Sequence, residues 1–352
     1  MPSVFDRSYD KEALRRLVGC EGQVAGVRRV ELADGRVRGL RAAEVYTGSG
    51  FRFTVLLDRG LDLFDAEHHG RPLAWIHPAL GGPELQERGG LGWLRTFGGG
   101  LVTTCGLTHY GPPDPAGPEG HGLHGRASHL PAENVRVRQE WVGDDFVLEV
   151  CGEVCQSRLF GENLRLQRRI STRLGASNLL LEDVVTNEGF RLSPIAVLYH
   201  CNFGFPVLSP DSELIVSDRS VEPRDEPARA GLDEHRRFDA PQPGFAEQVF
   251  YHEPQPDADG MASVGIANRV LGFGAYLRWR AAELPVLAQW KMTGEGEYVC
   301  GLEPCMHQMR ATRQQLVDEG LMRQLAPGES IAFRLEVGVL PTAAAISAFE
   351  RR

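Results

Sequence analysis

Residues Asn134–Asn187 read NVRVRQEWVGDDFVLEVCGEVCQSRLFGENLRLQRRISTRLGASNLLLEDVVTN, and this stretch decides the fold class. It divides into Asn134–Val142, Phe146–Ser157, Asn163–Arg173 and Asn178–Asn187, each the length of a strand and rich in Val, Leu and Ile. Gly143-Asp144-Asp145 and Gly175-Ala176-Ser177 are turn signals between them. Segments such as Arg165–Ile170 alternate apolar and polar residues, as a sheet with one wet face should.

The same texture extends in both directions. Upstream, Gln23–Leu32, Val37–Tyr46, Phe51–Leu57, Leu61–Ala66 and Pro72–Ile76 read as a meander separated by Asp-Gly, Gly-Ser-Gly and His-Gly signals. Before them, Asp10–Val18 reads as one short helix with Leu14 and Leu17 on one face. Downstream, Pro194–Phe203 is more uniformly apolar and looks central. Ser209–Gly244, rich in Pro, Asp, Arg and Glu, reads as a long surface excursion. Strands then resume at Glu247–His252, Ser263–Asn268, Gly274–Arg280, Val286–Lys291, Tyr298–Glu303 and Ser330–Val339. No composition break or repeat divides the chain, so residues 1–352 are expected to form one all-β domain, a large antiparallel β-sandwich with one short N-terminal helix. A barrel or cupin-like jelly roll is the rival architecture.

Composition narrows the function. The 352 residues carry a formal charge of −9, and no Lys/Arg block offers a nucleic-acid footprint. No apolar run is long enough to span a bilayer, and the N-terminus lacks the apolar core of an export signal. A cytoplasmic protein with its seven cysteines as reduced thiols is the expectation. P-loop, HExxH, CxxC-pair and G-x-S-x-G signatures are missing.

Four constellations carry candidate chemistry. Gly92–Leu130 holds four of the eleven histidines, His109, His121, His124 and His129, among repeated glycines. That mixture suits a wall lying close to a ligand. In Tyr199-His200-Cys201-Asn202-Phe203, residues two apart share a face, so His200 and Asn202 project together; a core histidine satisfied by neighbours is the bland alternative. In Glu297–Pro304, the small Gly301 beside Glu303 leaves room against the carboxylate, although a surface carboxylate is the commoner use. Gln289 and Lys291 add a polar pair on the preceding strand. Asp58-Arg59-Gly60-Leu61-Asp62 reads as a turn holding a local ion pair. The H-x2-H-x4-H spacing of His121, His124 and His129 is no recognised zinc pattern; a metal-dependent jelly roll using them is one rival reading, and neither metal nor cofactor is expected.

Taken in order, Asp58–Asp62, Arg95–Gly100, Leu123-His124-Gly125-Arg126, Tyr199–Phe203, Ala246–Val249 and Gln289–Pro304 resemble motifs of the aldose 1-epimerase (galactose mutarotase-like) superfamily, and within it a poorly characterised bacterial branch. The resemblance spans Asp58 to about Val339. It implies a β-sandwich with an open groove and a small-molecule sugar as ligand. His200 matches the family's catalytic acid and Glu303 its base. His124 matches a sugar-contacting histidine and Arg95 a substrate-binding arginine. The sequence departs from the pattern at Tyr199, which stands before His200, and in lacking a clear substrate-binding aspartate, for which Asp239 and Glu247 are both candidates. Arg59, Arg126, Asn202, Glu247, Gln289 and Lys291 complete the expected binding set. On this reading the protein interconverts sugar anomers by acid/base ring opening, with an oligomer compatible. The rivals are a non-catalytic carbohydrate-binding module and an isomerase, epimerase or lyase acting on a modified or acidic sugar, whose anion Arg59, Arg95 and Arg126 would pair.

Overall fold

The computed structural model describes residues 3–5, 7–83, 89–115 and 120–351. Of the histidine- and glycine-rich wall, residues 116–119 therefore lie outside the described residues. The four strands that decide the fold class are Ala132–Val142, Asp145–Ser157, Asn163–Arg173 and Asn178–Asn187, joined antiparallel in sequence order. They form one side of an eight-stranded sheet, which Ser330–Leu340, Phe273–Arg280, Met261–Asn268 and Ser212–Val216 complete on the other. Alternation works as expected in Asn163–Arg173, where Leu164, Leu166 and Ile170 point inward. So does Arg168, a charge on the core phase.

A six-stranded sheet packs opposite, in the order Asp218–Pro223, Gln248–Pro254, Val286–Gly294, Glu297–Cys305, Leu198–Phe203 and Thr103–Cys105. A five-stranded meander runs from Gly26–Glu31 to Arg71–Pro72. All strand pairs in the three sheets are antiparallel. One buried apolar cluster takes residues from every sheet, among them Val55, Val150, Tyr199, Trp279, Leu302 and Leu335.

Arg168 is held inside this sandwich by charge. Its guanidinium donates to both oxygens of Asp183 (2.8 and 2.7 Å), to Asp62 Oδ1 (3.1 Å) and to Thr104 Oγ1 (2.8 Å). Tyr199 donates to the same Asp183 at 2.6 Å, so the hub pins the Leu198–Phe203 strand from behind. The local ion pair expected in Asp58–Asp62 does not form. Asp58 pairs with Arg41 and Asp62 with Arg168 from the facing sheet; Arg59 feels the Asp62 charge but is not within ion-pair distance of it.

Two regions differ from their sequence reading. Ser209–Gly244 is no featureless excursion: it supplies strands Ser212–Val216 and Asp218–Pro223 to the two main sheets and a helix, Glu226–Ala230, capped by Asp225. Ser212–Val216 is short and carries Ile215 on its outer face, packed against the C-terminal helix, while Asp218–Pro223 is mostly polar, so neither shows a clean period of two. Pro72–Ile76 pairs only at Pro72, and beyond it through isolated bridges from Ala74 to Phe203 and from Ile76 to Gly99. The N-terminal helix is Lys11–Arg15, capped by Asp10; Arg313–Asp318 and Ala343–Glu350 are also helical. No described helix is long and apolar enough to cross a membrane.

Candidate active site

The sandwich interior uses one face of the six-stranded sheet. On its other face a second apolar cluster, including Trp93, Phe97, Tyr110, Val249 and Tyr251, is roofed by the Gly92–Leu130 wall and by the segment around Met309 and Leu316. Where the roof stops, a groove of about 650 Å³ opens over His200 and Glu303.

Register brings those two together. Cys201 stands opposite Leu302 and Asn202 opposite Gly301, which sets His200 across from Glu303 on neighbouring antiparallel strands. Directly opposed residues on one face are contact neighbours, and Glu303 Oε1 lies 3.2 Å from His200 Nε2. Tyr199, Cys201 and Phe203 take the opposite face and join the sandwich core, as alternation requires. Asn202 shares the His200 face but is consumed locally: its amide donates to Gly100 O (2.9 Å) and His200 O (3.0 Å) and fixes the strand, without lining the groove.

Four rings enclose His200: Phe97 and His124 at 5.4 Å, Trp290 at 5.5 Å and Trp93 at 6.2 Å between centroids. This dry setting opposes charge. Burial pulls the His200 imidazolium down to about 4, the Asn202 amide working partly against it. Burial likewise pushes the Glu303 carboxyl up to about 8, helped by the nearby Glu247 charge and opposed by Arg224. The two groups thus hold one exchangeable proton between them across the neutral range.

His124 is delivered by strained backbone. It adopts φ +57° and precedes Gly125 at φ +74°, where a Cβ would come within 2.3 Å of His109 O. Only glycine allows that approach. Held so, the His124 ring packs 4.7 Å from Trp93 and edge-on to His200, and burial keeps its imidazole far toward the neutral form. His124 Nδ1, His200 Nδ1 and Glu303 Oε1 are all buried without a hydrogen-bond partner. Buried polar atoms are seldom left so, and three converging at one groove floor suit a ligand with several hydroxyls.

Glu247 lines the groove side, accepting from Arg224 Nη2 and from Trp290 Nε1, both at 2.9 Å. Asp239 lies off the groove, its backbone carbonyl accepting from Tyr298. The other expected binding residues lie elsewhere. Gln289 and Lys291 take the opposite strand face from Trp290: Gln289 bonds His252 and His235 O, and Lys291 donates to Glu234 O. Arg59 is buried behind the Trp93–Phe97 wall, donating to Thr96 O at 2.9 Å, and burial pulls its pKa down to about 10. Arg95 is exposed, and its backbone carbonyl accepts from Arg36. Arg126 is half-buried in the turn after Gly125 and does not line the groove. The floor trio was legible in the sequence. Glu247 was singled out, but the aromatic walls Trp75, Trp93 and Trp290 and its clamping partner Arg224 were not. Trp290 had a signal: Trp290 stands opposite Gly301 and Ala288 opposite Glu303, so it shares the Glu303 face.

His121, His124 and His129 do not form a metal cluster. His124 is at the groove floor, His129 bonds Thr96 Oγ1 at 2.7 Å, and His121 stacks on His109. Among the described residues, Asp218, His235 and His252 do bring three ligand atoms within 4.8 Å of one another. Their geometry suits a hydrogen-bonded network better than a cation. His252 is bonded through both nitrogens, to Asp218 and Gln289, and Arg236 donates to Asp218 and lies 3.3 Å from His235 Nε2.

The family model described as "Domain of unknown function (DUF4432)" matches residues 37–339. Comparison with curated proteins finds no match. Among solved structures, a "putative aldose 1-epimerase" from Klebsiella pneumoniae is 27% identical, with TM-score 0.87 over 92% of this chain and 86% of its own. A galactose mutarotase-like protein from Clostridium acetobutylicum (13% identity, TM-score 0.64, 90% and 99% coverage) and a galactose 1-epimerase from Lactobacillus acidophilus (13%, 0.58, 90% and 98%) share the fold.

Proposed function

The chain belongs to the DUF4432 family, and we propose that it is an aldose 1-epimerase-like isomerase that exchanges the anomers of a sugar bound over His200 and Glu303. One observation carries this reading: an acid/base pair 3.2 Å apart on the floor of an aromatic-walled groove. The name of the Klebsiella protein, at 27% identity, supports it.

Anomer exchange moves two protons at one carbon. The proton that rests on Glu303 first passes to His200 across their 3.2 Å contact; Glu303 then takes the proton of the C1 hydroxyl while His200 gives one to the ring oxygen. The C1–O5 bond breaks with its electron pair going to O5, and C1=O forms. The carbonyl end rotates, O5–H adds to the other face, His200 recovers its proton and Glu303 returns its own to O1. The two oxygens on one tetrahedral carbon are closer to each other than 3.2 Å, so adjacent catalytic atoms on one floor can serve both. Once the ring is open, the proton rests on Glu303 and His200 is neutral, the distribution that burial favours. Closing the ring reverses it, so a pair holding one proton serves both directions. Aldoses mutarotate in water, so positioned proton transfer worth about 10²–10⁴-fold is sufficient. His124 supplies a further contact to a sugar hydroxyl.

Glu303→Gln and His200→Asn should each abolish catalysed anomer exchange, followed by NMR exchange spectroscopy, while circular dichroism stays that of the wild type. Near-wild-type exchange in either variant would remove that residue from the chemistry.

A further inference from the structure

The polar atoms left open at the groove floor belong to His124, His200 and Glu303. Its walls are different. Leu91 and Leu94, exposed by 61% and 52%, join Leu123, Pro112, Met292 and Met309 around the mouth. Exposed apolar side chains grouped at the lip of a groove indicate something apolar that covers them. A sugar hydroxylated on every carbon would face these walls with groups they cannot bond.

Charge narrows the ligand further. Among the described side chains lining the groove, Arg224 is the one arginine, and none is lysine. Arg224 is already engaged by Asp225 and by Glu247. Glu247, Glu297 and Glu303 put three carboxyl groups on the same lining. A carboxylate or phosphate on the ligand would meet the carboxylates of Glu247 and Glu297, with no unengaged cation among the described lining residues. The three arginines that the sequence offered for an acidic sugar, Arg59, Arg95 and Arg126, do not reach the groove.

We propose that this groove selects an uncharged sugar with an apolar flank, a deoxy sugar, over its fully hydroxylated and anionic counterparts. The reducing carbon sits over His200 and Glu303, and the deoxygenated end lies against Leu91, Leu94 and Met309. This rests on the mutarotase-like reading of the floor.

The test compares D-galactose, 6-deoxy-D-galactose, D-galacturonate and D-galactose 6-phosphate, and the matching gluco series, with the full-length protein. Binding is read by saturation-transfer NMR and turnover by exchange spectroscopy. In at least one series the deoxy sugar should bind at least about tenfold more tightly than its parent, the scale at which apolar pockets discriminate small groups, and the uronate and phosphate should not compete. The exposed Leu94→Gln variant, folded by circular dichroism, should bring the deoxy-to-parent ratio toward one. Three results overturn the proposal: an anionic sugar binding as well as its parent, no deoxy preference in either series, or an unchanged ratio in Leu94→Gln. Preferential binding of the deoxy sugar without accelerated exchange would uphold the selectivity and sink the catalytic reading instead.

Discussion

Replacing Arg168 by methionine removes the one cation between Asp62 and Asp183 at a fully buried position while roughly preserving volume. Four hydrogen bonds to these carboxylates and Thr104 disappear together. Taking one partner from a buried pair and leaving its counter-charge behind costs about 3–5 kcal/mol, against a total stability on the order of 5–15 kcal/mol for a folded domain. The loss has a pH signature. Burial already raises the Asp62 carboxyl and Arg168 opposes it; without Arg168 the carboxyl rises further. A raised folded-state pKa favours the protonated form, so its contribution is present at low pH and lost as pH rises through that pKa. The variant's deficit should therefore be larger at neutral than at mildly acidic pH. Urea unfolding followed by tryptophan fluorescence and circular dichroism measures it. Because Tyr199 leans on Asp183 and precedes His200, the folded fraction should also lose exchange activity. A pH-independent loss under about 1 kcal/mol, the size of an ordinary substitution, would refute the hub as a structural keystone.

Other outcomes follow from the groove. The pH–rate profile should be a bell with limbs near about 4 and about 8: below the lower limb both groups are protonated and no base remains, above the upper the pair has lost its acid. A profile flat through the upper limb would exclude Glu303. In Gly301→Ala, a Cβ would stand 2.6 Å from Glu303 Oε1, so exchange should fall on the order of 10²-fold, as expected for displacing a catalytic group, with the unfolding midpoint little changed. Glu247→Ala releases Trp290 and Arg224 and removes a charge that pushes Glu303 upward. KM should rise more than kcat falls, and the alkaline limb should move to lower pH; an unmoved limb contradicts the coupling.

Strand periodicity was legible because alternation and turn residues are local. The Asn134–Asn187 strands and the faces of His200 and Glu303 needed nothing beyond period two. Register between strands about a hundred residues apart was not local, and it alone decides that His200 meets Glu303 and that Gln289 and Lys291 turn from the groove. The arginines misled for a related reason. Arg59 and Arg95 stand in the motifs that carry the resemblance, yet one is walled in behind Trp93 and the other faces solvent. The strands within Ser209–Gly244 escaped because their pairing partners, Gln248–Pro254 and Met261–Asn268, come later in the chain.

The most direct measurement is the anomer exchange rate of neutral aldoses in NMR exchange spectroscopy, with and without the wild-type protein. Exchange that rises in proportion to protein concentration for at least one aldose, and returns to the spontaneous rate when Glu303→Gln replaces the wild type, is the expected result. Spontaneous rates for every aldose at all protein concentrations would contradict it.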